Sequence, residues 1–208
     1  MAAKATKTWK HPTLGEFAVS DNGWSTTVTV PAFKKFSYDT GYGNVRRPTG
    51  KCSVSLMTFR TSSERPATPP PAMVALAEKL VTDPERLVTM VTTALWEDFN
   101  GRGPSSGMWW HGDVESIDRN YRQMKLPSPK EPDDLFSVLQ LTGVTVFDEW
   151  WDHPAAIGYL DFLAAFEEEH GVSILTRGDE VLGTGYSDGS VMLWEHLRQT
   201  PPPRNPFV

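Results

Sequence analysis

The chain has 208 residues, 39% hydrophobic and 22% charged, which is the composition of a globular protein and excludes a disordered one. Its single cysteine, Cys52, excludes an internal disulfide and a cysteine-based metal cluster and fits a reducing compartment. The net charge of −6 argues against nucleic acid as a ligand. Residues 1–15 carry no signal-peptide pattern and no segment is apolar enough to cross a bilayer, so we expect a cytoplasmic protein without a membrane partner.

The first third of the chain is typical of strands. Asp21-Asn22-Gly23 supplies turn chemistry, and alternating residues after it share one face, so the sequence predicts a hairpin over 14–30. A further strand is predicted at 52–60, with Cys52 on its apolar side. The proline-rich segment 62–71 then breaks regular structure.

Two helices follow. Apolar residues at helical spacing predict a helix at 72–82 and a second one at 84–99. Asp83 is a suitable N-cap for the second helix, and Pro84 stands at its first position.

Strands return in the last third. A strand is predicted at about 140–147, and strict alternation favours a strand over a helix at 155–169. The Glu-Glu-His-Gly segment is then interpreted as a turn into a strand at 171–177. A further strand, which runs back along it, is predicted at 180–186. This order predicts one α+β domain over 1–208, with a core at 9–195 and an extended tail at 196–208. The N- and C-terminal strands would form an antiparallel sheet around a helical middle segment.

Two segments of the chain resemble a widespread, uncharacterised bacterial domain family. The specific motifs are the His11-Pro12-Thr13-Leu14-Gly15 opening with Trp24, and the C-terminal stretch 166–190, FEEEHGVSILTRGDEVLGTGYSDGS. The resemblance covers residues 9–190, but Phe166-Glu167 stand where the family favours Trp-Asp. It implies no established activity. Some members occur with bacterial toxin systems as candidate immunity proteins, so an immunity-type role is what the resemblance implies.

The Glu-His-Gly segment is the first candidate site. Glu168, Glu169 and His170 bring carboxylates beside an imidazole, the minimum for general acid/base chemistry or for part of a metal site. The structural alternative is that Gly171 adopts an unusual backbone angle and that His170 bonds to the neighbouring strand.

Paired tryptophans form the second candidate site. Trp109, Trp110 and His111 lie in one polar segment, and Trp150 and Trp151 lie in another among acidic residues. Adjacent aromatic residues flanked by acids and histidine occur at interaction surfaces and sugar clefts, although most tryptophans pack in cores. The histidines and aspartates of the two segments could bind a metal if the segments met, but we predict no metal and no cofactor.

Charge is segregated along the chain. Residues 131–176 contain ten acidic residues and no lysine or arginine, whereas residues 1–60 contain nine basic residues and three acidic ones. A basic protein partner would explain this layout, and so would packing of the two parts against each other within the fold. The leading hypothesis is a non-enzymatic binding module that uses an acidic, tryptophan-containing surface. The alternative is a small hydrolase or lyase that uses His170 with Glu168 or Glu169.

Overall fold

The described part of the molecule is built on one eight-stranded sheet. The structure is a computed structural model and describes residues 7–38, 49–58, 60, 64–100, 122, 125, 129–148, 156–165, 167–178 and 180–186. The strands are β1 (Thr8–His11), β2 (Gly15–Ser20), β3 (Gly23–Thr29), β4 (Lys51–Met57), β5 (Leu139–Phe147), β6 (Ile157–Ala164), β7 (Glu167–Arg177) and β8 (Glu180–Tyr186). The helices are α1 (Pro71–Thr82) and α2 (Pro84–Phe99), with short 3-10 helices at Pro31–Lys35 and Pro132–Ser137.

The strands follow one another across the sheet in chain order. Neighbours are antiparallel except at the centre, where β4 and β5 run parallel from the Ser53–Gly143 pair to the Met57–Phe147 pair. Parallel neighbours need a crossover connection because a tight turn reverses the chain direction. Helices α1 and α2 lie in that connection, between β4 and β5.

The predicted fold class, an antiparallel α+β sheet around a helical middle segment, was therefore wrong. The sheet is mixed and strands dominate the described residues, with two helices of seven or more residues among them. Alternating apolar residues indicate that a strand exists, but they do not specify its direction relative to a neighbour. Here the crossover sets that direction, and it places β5, the first strand after the helices, parallel beside β4, the last strand before them.

The two predicted helices are confirmed. Helix α1 begins at Pro71, one residue before the predicted start, and α2 runs from Pro84 to Phe99 as predicted. Asp83 joins them: its amide donates to the Lys79 carbonyl, and its own carbonyl accepts from the Leu87 amide at 3.2 Å. A helix leaves the backbone N–H group at its first position unbonded. Proline, which has no N–H group, therefore costs no hydrogen bond there.

The predicted hairpin at 14–30 is confirmed as β2 and β3. Its turn ends at Gly23, which has φ +150° and packs directly on β4. A Cβ at this position would lie 2.0 Å from the Leu56 carbonyl oxygen, so the pairing of β3 with β4 requires glycine. Gly23, which the sequence predicted as a turn residue, thus also allows β3 and β4 to approach each other closely.

The interpretation of Glu-Glu-His-Gly as a turn was wrong. The chain reverses earlier, between Ala164 and Glu167, which pair across β6 and β7. Residues 167–170 already belong to β7, and Gly171 continues that strand with φ +67°. The unusual backbone angle expected of Gly171 is confirmed, but a β-bulge accommodates it instead of a turn.

The main core lies between the sheet and the helices. Cys52, Val54 and Leu56 alternate inwards along β4, as the sequence predicted. They belong to one cluster with the buried stripes of α1 and α2 and with Trp24, Phe17 and Phe162. A second, smaller cluster contains Phe147, Ile157, Tyr159 and Leu175, which are at most 8% exposed.

Candidate functional site

The predicted aromatic sites lie outside the described residues. These are Trp109, Trp110 and His111 in one segment and Trp150 and Trp151 in the other. Their role stays a prediction, and the alternative of a metal between the two segments concerns residues outside the described part as well.

The predicted Glu-His-Gly site lies in a bulge of β7. Between the Phe162–Val172 and Ala164–Glu167 pairs, β6 advances by two residues and β7 by five. Glu168, Glu169 and His170 therefore occupy extra backbone that β6 does not match residue for residue. Bulges of this kind are frequent beside functional sites and also at irregular points of structural sheets. The acid/base role of these residues stays a prediction.

Two carboxylates of the acidic segment, residues 131–176, accept hydrogen bonds within the fold. Asp134 Oδ2 accepts from the backbone amides of Lys130 at 2.8 Å and Glu131 at 3.2 Å, at the start of the second 3-10 helix. Asp161 Oδ1 accepts from the Ser173 hydroxyl at 2.9 Å.

Asp148 shows the same internal use of charge. Its side chain is 5% exposed, and Oδ2 lies 3.8 Å from Arg60 Nε, so this ion pair joins the basic and acidic parts of the chain. Asp148 is thus too buried to act as a rim charge for a partner. At this position the ion pair favours packing of the two parts against each other, whereas Asp134 and Asp161 form hydrogen bonds close to or within the acidic part.

The sequence did not reveal a cleft between the two helices and the sheet. Its volume is about 240 Å³. Six apolar side chains line it: Leu76, Leu80, Leu87, Met90, Val144 and Leu160. Leu76, Leu87 and Met90 are only half-buried, so apolar surface of both helices meets solvent inside the cleft.

The floor of the cleft depends on Gly158 in β6. A Cβ there would lie 2.6 Å from Thr176 Oγ1 and 3.2 Å from Leu76 Cδ2. Thr176 is 2% exposed, and its hydroxyl lies 3.5 Å from the Gly158 carbonyl oxygen, to which it donates. Its buried hydroxyl is thus used inside the fold, and the floor offers a ligand mainly apolar surface.

The rim of the cleft carries the charge. Lys79 in the last turn of α1, Asp83 at the helix junction and Arg86 in α2 line its mouth. The C-terminal end of α1 and the N-terminal end of α2 meet here, so the partial charges of the two helix ends oppose each other. At the turn between β7 and β8, Arg177 pairs with Glu180 at 2.8 Å. Among the described residues, charged side chains thus lie at the rim of the cleft and apolar ones at its floor.

A faint signal of this cleft was present in the sequence. Leu76 and Leu87 belong to the apolar stripes that predicted the helices. Periodicity shows that a face is apolar but not whether a neighbour covers all of it. The small residue opposite them, Gly158, lies far away in the chain, and only the fold brings it under α1.

The His-Pro-x-Leu-Gly opening connects the first hairpin to α1. His11 Nδ1 accepts from the Leu14 amide at 3.4 Å, and its Nε2 lies 3.7 Å from Glu78 Oε1. The Thr13 hydroxyl donates to the same Glu78 oxygen at 2.9 Å. These contacts give the motif a structural role in this chain.

Cys52 is buried in the core, as predicted. Its side chain lies on the inner face of β4 and the residue is 1% exposed. Burial, and to a lesser extent the negative charge of Asp161, raises the pKa of the thiol to about 12. The thiolate that nucleophilic chemistry needs is therefore scarce at neutral pH.

Comparison with known proteins found no matching family model, no matching curated protein and no matching solved structure. No helix among the described residues is long and apolar enough to cross a membrane. Within the same residues, no three or more His, Cys, Asp or Glu are grouped so that they could hold a metal ion.

Proposed function

We propose that this protein is a binding module that takes up an apolar anchor side chain of a protein partner in the cleft between α1, α2 and the sheet. The observation that carries this proposal is an apolar floor beneath half-exposed Leu76, Leu87 and Met90. An anchor that covers these side chains removes apolar surface from water, worth about 25 cal/mol per Å².

The size of the cleft favours an anchor side chain over a whole metabolite. At about 240 Å³ it is smaller than the roughly 300–1,000 Å³ typical of small-molecule pockets. An enclosed cavity of about 150 Å³ can already accept benzene, so one large apolar side chain fits. Buried anchors of this kind supply most of the affinity at protein interfaces.

The distribution of polar groups supports binding over catalysis. Asp83 and Arg86 are exposed at the rim and Lys79 is half-buried, whereas the floor is apolar. Catalytic groups must converge on a sheltered reacting centre. The hydroxyl at the floor, that of Thr176, already donates to the Gly158 carbonyl.

A cleft-filling variant tests this function. Met90→Trp should occupy the cleft, while Thr89→Trp adds the same ring at an exposed position of α2 outside it. A random dodecapeptide phage library would be selected on the wild-type chain, and the enriched peptides would be measured against both variants.

We expect the enriched peptides to share one apolar residue, to bind Thr89→Trp like wild type and to lose binding to Met90→Trp. Circular dichroism would verify that both variants fold. Equal binding to Met90→Trp and wild type would contradict the proposal, as would enrichment of peptides without an apolar residue.

A further inference from the structure

From the polar group at the floor of the cleft, we infer that the anchor is a tyrosine of the partner. Its ring packs on the apolar walls, and its hydroxyl donates a hydrogen bond to Thr176 Oγ1. This inference rests on the proposed function, because it names the side chain that the cleft takes up. The proposed function itself requires only a large apolar body, and the inference adds a polar tip.

The first step is the position of the Thr176 hydroxyl. Thr176 lines the cleft and is 2% exposed, whereas the other polar side chains that the described residues place around the cleft are exposed or half-buried. A Cβ at Gly158 would lie 2.6 Å from Thr176 Oγ1 and 3.2 Å from Leu76 Cδ2. The hydroxyl therefore lies on the helix side of the sheet, at the floor of the cleft.

The second step is the hydrogen-bonding capacity that this hydroxyl has left. A hydroxyl donates one hydrogen bond and can accept two. Thr176 donates to the Gly158 carbonyl oxygen at 3.5 Å, which is long beside the usual range of about 2.5–3.0 Å for such bonds. Within the described part of the chain, no group donates to Oγ1. Its lone pairs are thus available to a donor on a bound side chain.

The third step identifies the side chain. The walls formed by Leu76, Leu87 and Met90 favour an apolar body, and the acceptor at the floor favours a donor at its tip. Tyrosine carries its hydroxyl at the far end of the ring, so the tip can reach the floor while the ring remains between the walls. Tryptophan has its N–H group on the side of a larger ring system. Leucine and phenylalanine fit the walls but bring no donor to Oγ1.

The expected preference follows from one hydrogen bond. A neutral hydrogen bond changes an equilibrium constant by a factor of about 2 to 13, after the lost bonds to water are counted. A tyrosine should therefore bind about 2- to 13-fold more tightly than a phenylalanine in the same peptide. Without the acceptor, the tyrosine hydroxyl would be buried and unpaired, so the preference should then disappear or reverse.

Three tripeptide probes separate the hydrogen bond from the size of the anchor. They are acetyl-Ser-Tyr-Ser-amide and the same peptide with phenylalanine or 4-methylphenylalanine in place of tyrosine. The methyl group of the third probe has about the size of the hydroxyl but cannot donate a hydrogen bond. Binding would be followed on the full-length protein by the methyl resonance of Met90, which lines the cleft. Its loss in Met90→Leu assigns this resonance.

Thr176→Val is the test variant, because valine keeps the shape of threonine without the hydroxyl. Thr82→Val makes the same change at an exposed residue that also lines the cleft, and it serves as the control. The Thr82 hydroxyl donates to the Glu78 carbonyl at 3.0 Å within α1 and lies at the rim instead of the floor. Thr176→Ser keeps a hydroxyl at the floor and should keep the preference.

We expect the tyrosine probe to bind wild type more tightly than the other two probes. Thr176→Val should abolish or reverse this order, whereas Thr82→Val and Thr176→Ser should keep it. Equal binding of the three probes to wild type, or an unchanged tyrosine preference in Thr176→Val, would overturn the inference while leaving the cleft function intact.

If Thr176→Val does not fold, the tyrosine and 4-methylphenylalanine probes decide between the outcomes on wild type, since they differ in the hydrogen-bond donor and not in size. If no probe moves the Met90 resonance up to its solubility limit, both proposals fail.

Discussion

The two sides of the helical pair differ in how completely the sheet covers them. On one side Met73, Ala77 and Leu95 are fully buried, in one cluster with Val54 and Leu56 of the sheet. On the other side Leu76, Leu87 and Met90 remain half-exposed over Gly158. The same two helices therefore close the core with one face and leave an apolar cleft with the other.

The difference follows from the residues that the sheet places opposite each face. Branched and large side chains of β4 belong to the cluster on the sealed side, whereas at the cleft Gly158 of β6 lets Leu76 and Thr176 approach closely and fills none of the space above them. Close packing supplies stability, so a sequence selected for stability alone would fill the rest of the cleft with larger side chains. An apolar cleft that remains open is what a binding surface requires.

The largest expected effect contrasts a sealed residue with a cleft residue of the same helix. Leu95→Ala should lower the free energy of unfolding by about 2–5 kcal/mol, because it leaves a cavity in a closed core. Met90→Ala should cost about 1 kcal/mol, since Met90 is only half-buried. Urea unfolding followed by circular dichroism measures both. Similar losses for the two variants would remove the distinction between the two sides.

The floor of the cleft gives the next largest effect. Gly158→Ala should cost about 1–3 kcal/mol, because its Cβ would meet the Thr176 hydroxyl at 2.6 Å and Leu76 at 3.2 Å. Gly143→Ala, in β5, is the matched control, because its nearest neighbour would be 3.7 Å away. This control should be neutral or stabilising by up to about 1 kcal/mol, as glycine is unfavourable within a strand.

A second substitution tests the cause of that loss. In the Gly158→Ala background, Thr176→Ala removes the hydroxyl that lies closest to the new methyl group. The double variant should be more stable than the sum of the two single losses predicts. Strict additivity would mean that Gly158 is needed for a reason other than this contact.

Local structure could be predicted well from the sequence. The turn at Asp21-Asn22-Gly23 and the helix junction at Asp83-Pro84 carry local chemical signals, and both lie where the sequence predicted them. The direction of β5 relative to β4 could not be predicted in this way. It depends on a crossover between residues 57 and 139, and no local pattern encodes it.

Candidate sites were harder to predict for a related reason. Glu168 to Gly171 have the residue types of a turn, but pairing of Ala164 with Glu167 moves the reversal upstream and leaves a bulge. The cleft forms where Leu76 of α1 lies over Gly158 of β6. These two residues are far apart in the chain. A site made by such long-range contacts takes its residues from distant segments, so no single segment of the sequence shows the whole site.

Cys52 lies on the sealed side, and its thiol reports how well that side is closed. A thiol whose pKa rises from 9.0 to about 12 on folding keeps its proton in the folded state after the unfolded state has lost it. This contribution is fully present below about pH 9 and is lost as pH rises towards 12, at up to about 1.4 kcal/mol per pH unit.

The measurement compares wild type with Cys52→Ala in urea at several alkaline pH values. Tyrosine and lysine ionisation affect both chains, so the expected signal is the difference in slope between them. The wild-type stability should fall more steeply above pH 9. Parallel slopes, or rapid reaction of the folded protein with a thiol reagent at pH 8, would show that water reaches β4 from the helix side.

The smallest effect concerns the outer side of α1, where the first hairpin contacts Glu78. His11 is 15% exposed and Glu78 is 34% exposed, so their 3.7 Å interaction is partly screened by water. A double-mutant cycle with His11→Ala and Glu78→Gln should give a coupling of about 0.2–1 kcal/mol. Gln keeps an acceptor for the Thr13 hydroxyl, so the cycle measures how strongly the Glu78 carboxylate is coupled to the His11 ring.

The same variants separate two explanations of how α1 is held over the cleft. If packing of Met73 and Ala77 on the sheet fixes the helix, His11→Ala should leave unchanged the affinity of the peptides that were enriched on the wild-type chain. This is the expected result, since both residues are fully buried whereas the His11 contact is peripheral. A weaker affinity of these peptides for His11→Ala, with the core still folded, would mean that the hairpin positions α1. The opening motif would then act on the cleft through the helix that forms one of its walls.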